Sequence, residues 1–488
     1  MLELLTLRRL LTLMAAGLAG CAAVGPNYQR PASTVDAGFV NAGAAATNTQ
    51  AAAADIATFW RGFNDAQLNA LIDRALAANG DVRIAQARLQ EARANLGEAD
   101  ALLLPGAGFT ADVKRSVTPV TQQSNQSRSD RTHSVVDANF VAEWELDLFG
   151  RLRRGSESAG ALVQAGEAGI GAAQTSVAAE VARNYLELRG LQLRLQVTEA
   201  ALANQRESLR ITQARLDAGR ATQLDLARGT TLVANTEAAL PQLQAAIERS
   251  MFRLATLTAQ SPRAALTALS GVAPLPALVP TDLATLPLGT PAQWLLRRPD
   301  LIAAERQLAA ATARIGVAKS EFFPRITLTG LLGLNAATLG NLGKSESVLY
   351  SLGAALTWTP FDSGQIRARV AASEARAAGS LATYDQAVAV ALEETEGAFS
   401  SFTRNTQHEA RLVQAARSAE EAARLARLRF EAGVTDFSVV LDAEREALAS
   451  QDQLVQARVG TATALVAVYR ALGGGWTAPA QALSSAAR

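Results

Sequence analysis

The chain has 488 residues, 49% hydrophobic and 5% aromatic, with a net charge of +1 and one cysteine. So even a balance argues against the basic face of a nucleic-acid binder, and a lone cysteine excludes an intrachain disulfide. Abundant alanine with Leu, Arg, Glu and Gln favours long, closely packed helices over a thick globular core.

Arg8 and Arg9 precede an apolar run from Leu10 to Leu18, too short to span a bilayer as a helix. The run ends Leu18-Ala19-Gly20-Cys21, which resembles a bacterial lipobox. That resemblance implies a signal peptide over 1–20 and a diacylglyceryl group on the Cys21 thiol. Ala22 follows, so nothing opposes sorting to the outer membrane. Residues 22–58 are rich in Ala, Gly, Pro, Thr and Asn with little periodicity and read as extended or loose.

Residues 65–78 predict a short helix with Leu68, Leu71, Ile72 and Ala75 on one face. Asp81 is the expected cap of a second helix that runs to about Leu104, before Pro105. The period then changes to two. Val136, Ala138, Phe140, Ala142, Trp144, Leu146 and Leu148 alternate with Asp137, Asn139, Glu143, Glu145 and Asp147. This is a strand with one greasy face and one wet, acidic face. Residues 107–114 supply a weaker partner, completing a hairpin over about 106–148.

A long helix is expected from about Leu152 to Asp217, on the order of 100 Å at 1.5 Å per residue. Its seven-residue repeat Leu188, Leu195, Leu202, Leu209, Leu216 predicts a coiled-coil seam. Gly219 stops it, and Thr222 is placed to cap a returning helix that runs to Leu257. Six prolines from Pro262 to Pro291 then read as a linker.

The second half repeats the first. At an offset of 219, Asp81, Gly97 and Pro105 meet Asp300, Gly316 and Pro324; at 214, Trp144, Gly150, Arg215 and Gly219 meet Trp358, Gly364, Arg429 and Gly433. The offset changes in the loop between strands, where length is freest. A second hairpin is expected over about 325–360, and a second turn after Arg429 ends at Gly433, with Thr435 or Asp436 capping the last helix. The fold class is therefore mainly α with a small β part, a duplicated helix–β-hairpin–long helix–turn–helix unit.

No catalytic constellation emerges, so no enzyme and no cofactor is expected. Gly343-Lys344-Ser345 echoes a phosphate loop but lies between two strands. His133 and His408 have no Cys or His neighbour at metal-ligand spacing. The mature chain has no apolar helical run long enough for a membrane, yet its strands present an apolar face. Sheets that cross lipid must close into barrels, and the smallest bacterial barrels have about eight strands. Four strands per chain would then have to be pooled between copies. A non-transport coiled-coil lipoprotein is the other reading, although a tether has no use for a lipid-facing sheet.

Gly25-Pro26-Asn27-Tyr28, Phe59-Trp60 and Trp144 through Gly150 are similar to motifs of the TolC-like outer-membrane factors. So is the run Arg297-Arg298-Pro299-Asp300-Leu301 with Glu305, Ile315-Gly316 and Phe322-Phe323-Pro324. The resemblance points to the lipoprotein branch serving resistance–nodulation–division efflux pumps, with a type I protein-secretion duct as alternative. It implies a homotrimer with a twelve-strand outer-membrane barrel and a periplasmic helical barrel. It also implies a periplasmic adaptor (membrane-fusion) protein and an inner-membrane resistance–nodulation–division transporter as partners. Equatorial segments would be 21–64, 261–290 and 473–488, flanking repeats at 65–260 and 291–472. The turns carrying Arg215, Gly219 and Thr222, and Arg429, Gly433, Thr435 and Asp436, would be the adaptor-contacting tips. Asp442 and Asp225 would form acidic constrictions of the pore. Val439 departs from the family pattern, which has a second aspartate there, and would narrow the pore as an apolar ring. Exposed pairing of Asp442 with Arg445 and of Asp225 with Arg228 is the competing expectation.

Radiolabelled palmitate should enter the wild-type protein and not Cys21→Ala; equal labelling of the two would remove the lipobox reading.

Overall fold

The computed structural model describes residues 23–32, 35–36, 38–41, 56–276, 290–295 and 297–476. The lipobox with Cys21 lies outside the described residues, as do 277–289 of the proline-rich stretch and the tail from 477. The elements in chain order are α1 (Ala66–Ala78), α2 (Gly80–Ala101), β1 (Gly106–Val117), β2 (Thr132–Leu146), α3 (Arg151–Asp217) and α4 (Gln223–Leu257). Then come α5 (Pro262–Leu269), α6 (Pro291–Leu295), α7 (Pro299–Ser320), β3 (Arg325–Ala336), β4 (Val348–Thr357), α8 (Ser363–Glu431) and α9 (Phe437–Ala471). The duplication is visible in these bounds: α7 is α2 shifted by 219, and α9 is α4 shifted by 214.

The described residues fall into two compact units. One draws on the described residues within Met1–Pro31, Leu89–Gly166 and Ala304–Tyr384 and contains the sheet. Its strands run in the order β1-β2-β3-β4, all antiparallel, so the central pair joins the two halves of the sequence. Register aligns the greasy faces. Phe109 stands opposite Phe140, Phe140 opposite Leu332, and Leu332 opposite Tyr350. These four side chains are 60, 63, 59 and 83% exposed, so an apolar row crosses the whole sheet uncovered. The other face is polar, with Asn335 Nδ2 donating to Asp137 at 2.7 Å.

The strand bases are fastened to helix ends twice over. Trp144 Nε1 donates to the Leu103 carbonyl at 3.0 Å, and Trp358 Nε1 to the Phe322 carbonyl at 3.1 Å. The two bonds are related by the offsets of the sequence repeat. Each indole thus ties a strand to the chain leaving the preceding helix. Two acidic residues expected on the wet strand face serve the next helix instead. Asp147 accepts from the Leu152 and Arg153 amides, satisfying N-terminal donors of α3, and Glu145 forms a two-point ion pair with Arg151.

Residues 23–30 form an arm that accounts for several of the family motifs. A Cβ on Gly25 would lie 2.5 Å from the Gly316 Cα, so the two glycines permit direct backbone contact between the arm and α7. Arg154 Nη2 donates to Asn27 at 2.7 Å. The Tyr28 hydroxyl donates to the buried Glu305, which Arg306 also grips and Arg30 approaches at 4.0 Å. Burial, then the Glu305 acceptor, push the Tyr28 hydroxyl well above its ordinary range, so it remains a donor.

The second unit draws on Ala32–Arg88, Glu167–Ala303 and Asp385–Arg488. Its core gathers Phe59, Trp60, Leu68, Ile72, Tyr185, Leu186, Leu254, Phe399 and Leu465. Within it Arg298 is buried, holding Asp300 through Nε and Nη2 at 3.0 and 2.6 Å and Glu394 at 2.8 Å. The Arg-Arg-Pro-Asp run is thus an internal clamp in this unit.

Three local expectations are corrected. Asn79, not Asp81, caps α2: its Oδ1 accepts from the Asp81 amide at 2.8 Å, while its Nδ2 reaches the last carbonyl of α4, Leu257, at 2.9 Å. One buried amide therefore serves two helix ends, and Asp81 sits in the first turn. Helix α2 ends at Ala101 and continues as turns to Leu104. The proline-rich linker opens as a helix, α5, because Ser261 caps it and Pro262 sits at its first turn, where no amide is needed.

Glu305→Ala would leave the Tyr28 hydroxyl and Arg306 without their acceptor and should cost about 3 kcal/mol, whereas Tyr28→Phe should cost about 1 kcal/mol. Thermal unfolding in detergent measures both, with faster cleavage of the 23–30 arm by a protease; unchanged melting and cleavage would refute the arm's anchoring role.

Candidate functional site

The two helix-to-helix turns have the same geometry. At the first, the Gly219 amide donates to the Leu216 carbonyl at 2.9 Å and the Arg220 amide to Arg215 at 2.7 Å. At the second, Gly433 donates to Phe430 and Val434 to Arg429, both at 2.9 Å. This paired pattern closes a helix through a left-handed residue, and the glycines take φ of +72° and +74°. The first returning helix begins with a full capping box. Thr222 Oγ1 accepts from the Asp225 amide, and the Asp225 carboxylate accepts from the Thr222 amide at 3.0 Å. Asp225 is thereby engaged by Thr222 rather than by Arg228. The second has Asp436 at its cap position without a side-chain bond, Thr435 lying just before it.

Both turns share one small core. Ile211 of α3 and Leu232 of α4 pack with Ala426 and Phe430 of α8 and with Phe437, Val440 and Leu441 of α9. Arg215 ties the two together: its guanidinium lies 4.1 Å over the Phe430 ring and donates to the carbonyls of Phe430 and Glu431. Arg429, its counterpart in the repeat, makes no such bond among the described residues. The arginine of one tip is structural and that of the other is free.

On α9, the residues facing this core are Val440, Leu441 and Glu444, while Val439 and Asp442 point outward. The Asp442 side chain is 78% exposed and stands 3.9 Å from Arg445. A pair so exposed contributes little, so the expected contact exists without fixing the carboxylate in place.

Sequence reading missed a polar seam behind the tips. Leu188, Leu195, Leu202, Leu209 and Leu216 mark every seventh residue, but the positions three further on include Thr198, Gln205 and Thr212, all buried. The threonines satisfy themselves by donating to carbonyls one turn back, at 2.8 Å each. Gln205 has no partner for either side-chain atom among the described residues. Nearby, Ser208 Oγ donates to buried Glu444 at 2.8 Å, and Arg427 lies 3.8 Å from the same carboxylate. The signal lay in the polar residues at d positions of the heptad, which the leucine spacing overshadowed.

The outer membrane efflux protein family matches residues 71–260 and 290–474. The chain belongs to that family. It is 34% identical over 464 residues to outer membrane protein OprJ of Pseudomonas aeruginosa, covering 94% of each chain. It is 31% identical over 478 residues to the toluene efflux pump outer membrane protein TtgI of Pseudomonas putida, covering 94% of this chain and 96% of the other. The solved structure of the outer-membrane channel OprN superimposes with a TM-score of 0.86 at 38% identity, covering 94% of this chain and all of that one. CusC gives 0.80 at 26%, covering 93% of this chain and all of that one. As a family member, the chain is an outer-membrane channel component of an efflux pump.

Burial raises the Glu444 carboxyl above the usual range, outweighing the opposing effects of Ser208 and Arg427. A raised folded-state pKa contributes stability that is fully present below the unfolded value and is lost as pH rises through the folded one. Relative to Glu444→Gln, the wild-type melting temperature should therefore fall as pH is raised from about 4 to about 8. Parallel melting curves for the two proteins would refute a strained carboxylate behind the tips.

Proposed function

We propose that three copies of this chain pool their strands into one twelve-strand barrel in the outer membrane. Their long helices then form a periplasmic duct that carries small molecules outward. The carrying observation is the bare apolar row Phe109–Phe140–Leu332–Tyr350 on a sheet whose edge strands have no strand partner among the described residues. In lipid every strand amide and carbonyl needs a partner, and joining β4 of one copy to β1 of the next supplies one at both edges. Cys21 would carry the lipid anchor, and residues 21–64, 261–290 and 473–488 would form the equatorial band around repeats 65–260 and 291–472.

The tips at Arg215, Gly219, Thr222, Arg429, Gly433, Thr435 and Asp436 would receive the periplasmic adaptor, which in turn joins an inner-membrane resistance–nodulation–division transporter. Free Arg429 supports this reading better than Arg215, whose guanidinium is already bonded within the chain. Asp442 and Val439, outward on α9, would narrow the periplasmic mouth. Three carboxylates around an axis repel one another and draw in cations. Asp225, held in its capping box, is the weaker second ring. Relatives named for toluene efflux and for pyoverdine export support low-molecular-mass organic cargo.

Native mass spectrometry in detergent should give three times the mature mass, and planar bilayers should show a cation-selective pore. Asp442→Ala should raise single-channel conductance severalfold and weaken that selectivity. Gly433→Val should leave trimers and conductance intact while abolishing pump-dependent resistance. A conducting monomer would overturn the shared barrel; unchanged conductance in Asp442→Ala would reduce Asp442 to a surface ion pair.

A further inference from the structure

Within the unit that holds the sheet, α2, α3, α7 and α8 line an open cleft of about 620 Å³. Its apolar lining includes Ala159, Leu162, Val317 and Ala318. Its charged lining is three arginines, Arg314, Arg369 and Arg376, against one carboxylate, Glu321. Glu321 is committed to Arg369 at 2.7 Å. The nearby Glu374 is taken by Lys319 at 2.9 Å. Arg314 on α7 and Arg376 on α8 therefore line the cleft without a counterion among the described residues. Ser373 also lines it, is buried, and has no hydrogen-bond partner there.

Two arginines on separate helices, without a counterion among the described residues, share the lining of one cleft with apolar side chains and a buried serine hydroxyl. Guanidinium forks match carboxylate and sulfonate oxygens in two-point contacts. The apolar lining adds affinity for rings or short alkyl chains.

We propose that this cleft binds small organic dianions, an apolar body bearing two carboxylate or sulfonate groups, with Arg314 and Arg376 as the anion-binding residues and Ser373 as an added donor. The site lies within one chain and does not depend on whether three copies share a barrel.

Isothermal titration of naphthalene-1,5-disulfonate into the full-length protein in a neutral detergent tests this. Wild type should bind saturably, and Arg314→Gln/Arg376→Gln should bind at least about tenfold more weakly, with each single change costing about threefold. Raising the salt to about 0.5 M should weaken wild-type binding, as expected for partly exposed charges. Arg424→Gln, an exposed arginine on α8 outside the cleft, should bind as wild type does. The single variants change exposed side chains, so they report even if the double variant fails to fold. Absence of saturable wild-type binding, or singles and double all within twofold of wild type, would overturn the proposal. Binding by a protein that proves monomeric would uphold it while removing the shared barrel.

Discussion

A four-stranded antiparallel sheet with two edges unpaired and one apolar face bare among the described residues is the constraint on which the rest of this molecule depends. Among the described residues nothing covers the row from Phe109 to Tyr350. Water around such a row carries a hydrophobic cost, and lipid around such edges leaves backbone groups unpaired. The chain instead holds the sheet rigidly at its base. Indole donors fix the strands to the ends of α2 and α7, and Asp147 and Glu145 fix β2 to the first turn of α3. A surface meant for an environment outside the chain has to be presented in a fixed orientation, and these bonds supply it.

Duplication gave the two halves the same parts, and the parts have since diverged in use. Trp144 and Trp358 still make equivalent bonds. Arg215 and Arg429 do not: one stacks on Phe430 and joins the tips, while the other is left at the surface. The acidic residues following the tips diverge likewise. Asp225 closes a capping box, and Asp442 stands in solvent in a loose, exposed pair with Arg445. A pseudo-symmetric hairpin pair thus carries one stabilising tip and one with free functional groups, which is how a repeated unit acquires distinct roles without changing its backbone.

Much of the fold was legible because its signals are periodic or local. Alternation at 134–148 and the glycines at 219 and 433 depend on nearest neighbours along the chain, and the structure meets them within a few residues. The clasp of the arm was not legible as contact. Gly25, Tyr28, Glu305 and Gly316 were recognisable as motif residues, but nothing in a linear pattern says that Gly25 touches Gly316. Asn79 was passed over for Asp81 because only three dimensions bring the end of α4 within reach of its amide. Glu444 carries no mark in the linear pattern that sets it apart from the other helical acids. Its buried carboxylate meets Ser208 of α3 and Arg427 of α8, both far away in sequence. The cleft arginines escaped notice for a related reason, since they lie on helices far apart in sequence.

The glycines of the two turns carry one more implication. A Cβ built on Gly219 or Gly433 meets no atom within 4 Å, so these positions are not short of room. What they exclude is the mirror-image cost of a left-handed dihedral for an L residue. The turns are therefore selective for chirality rather than for size. A D-alanine introduced by chemical ligation would fit where an L-valine strains, and asparagine, the L residue most at ease in that region, is the mildest natural replacement.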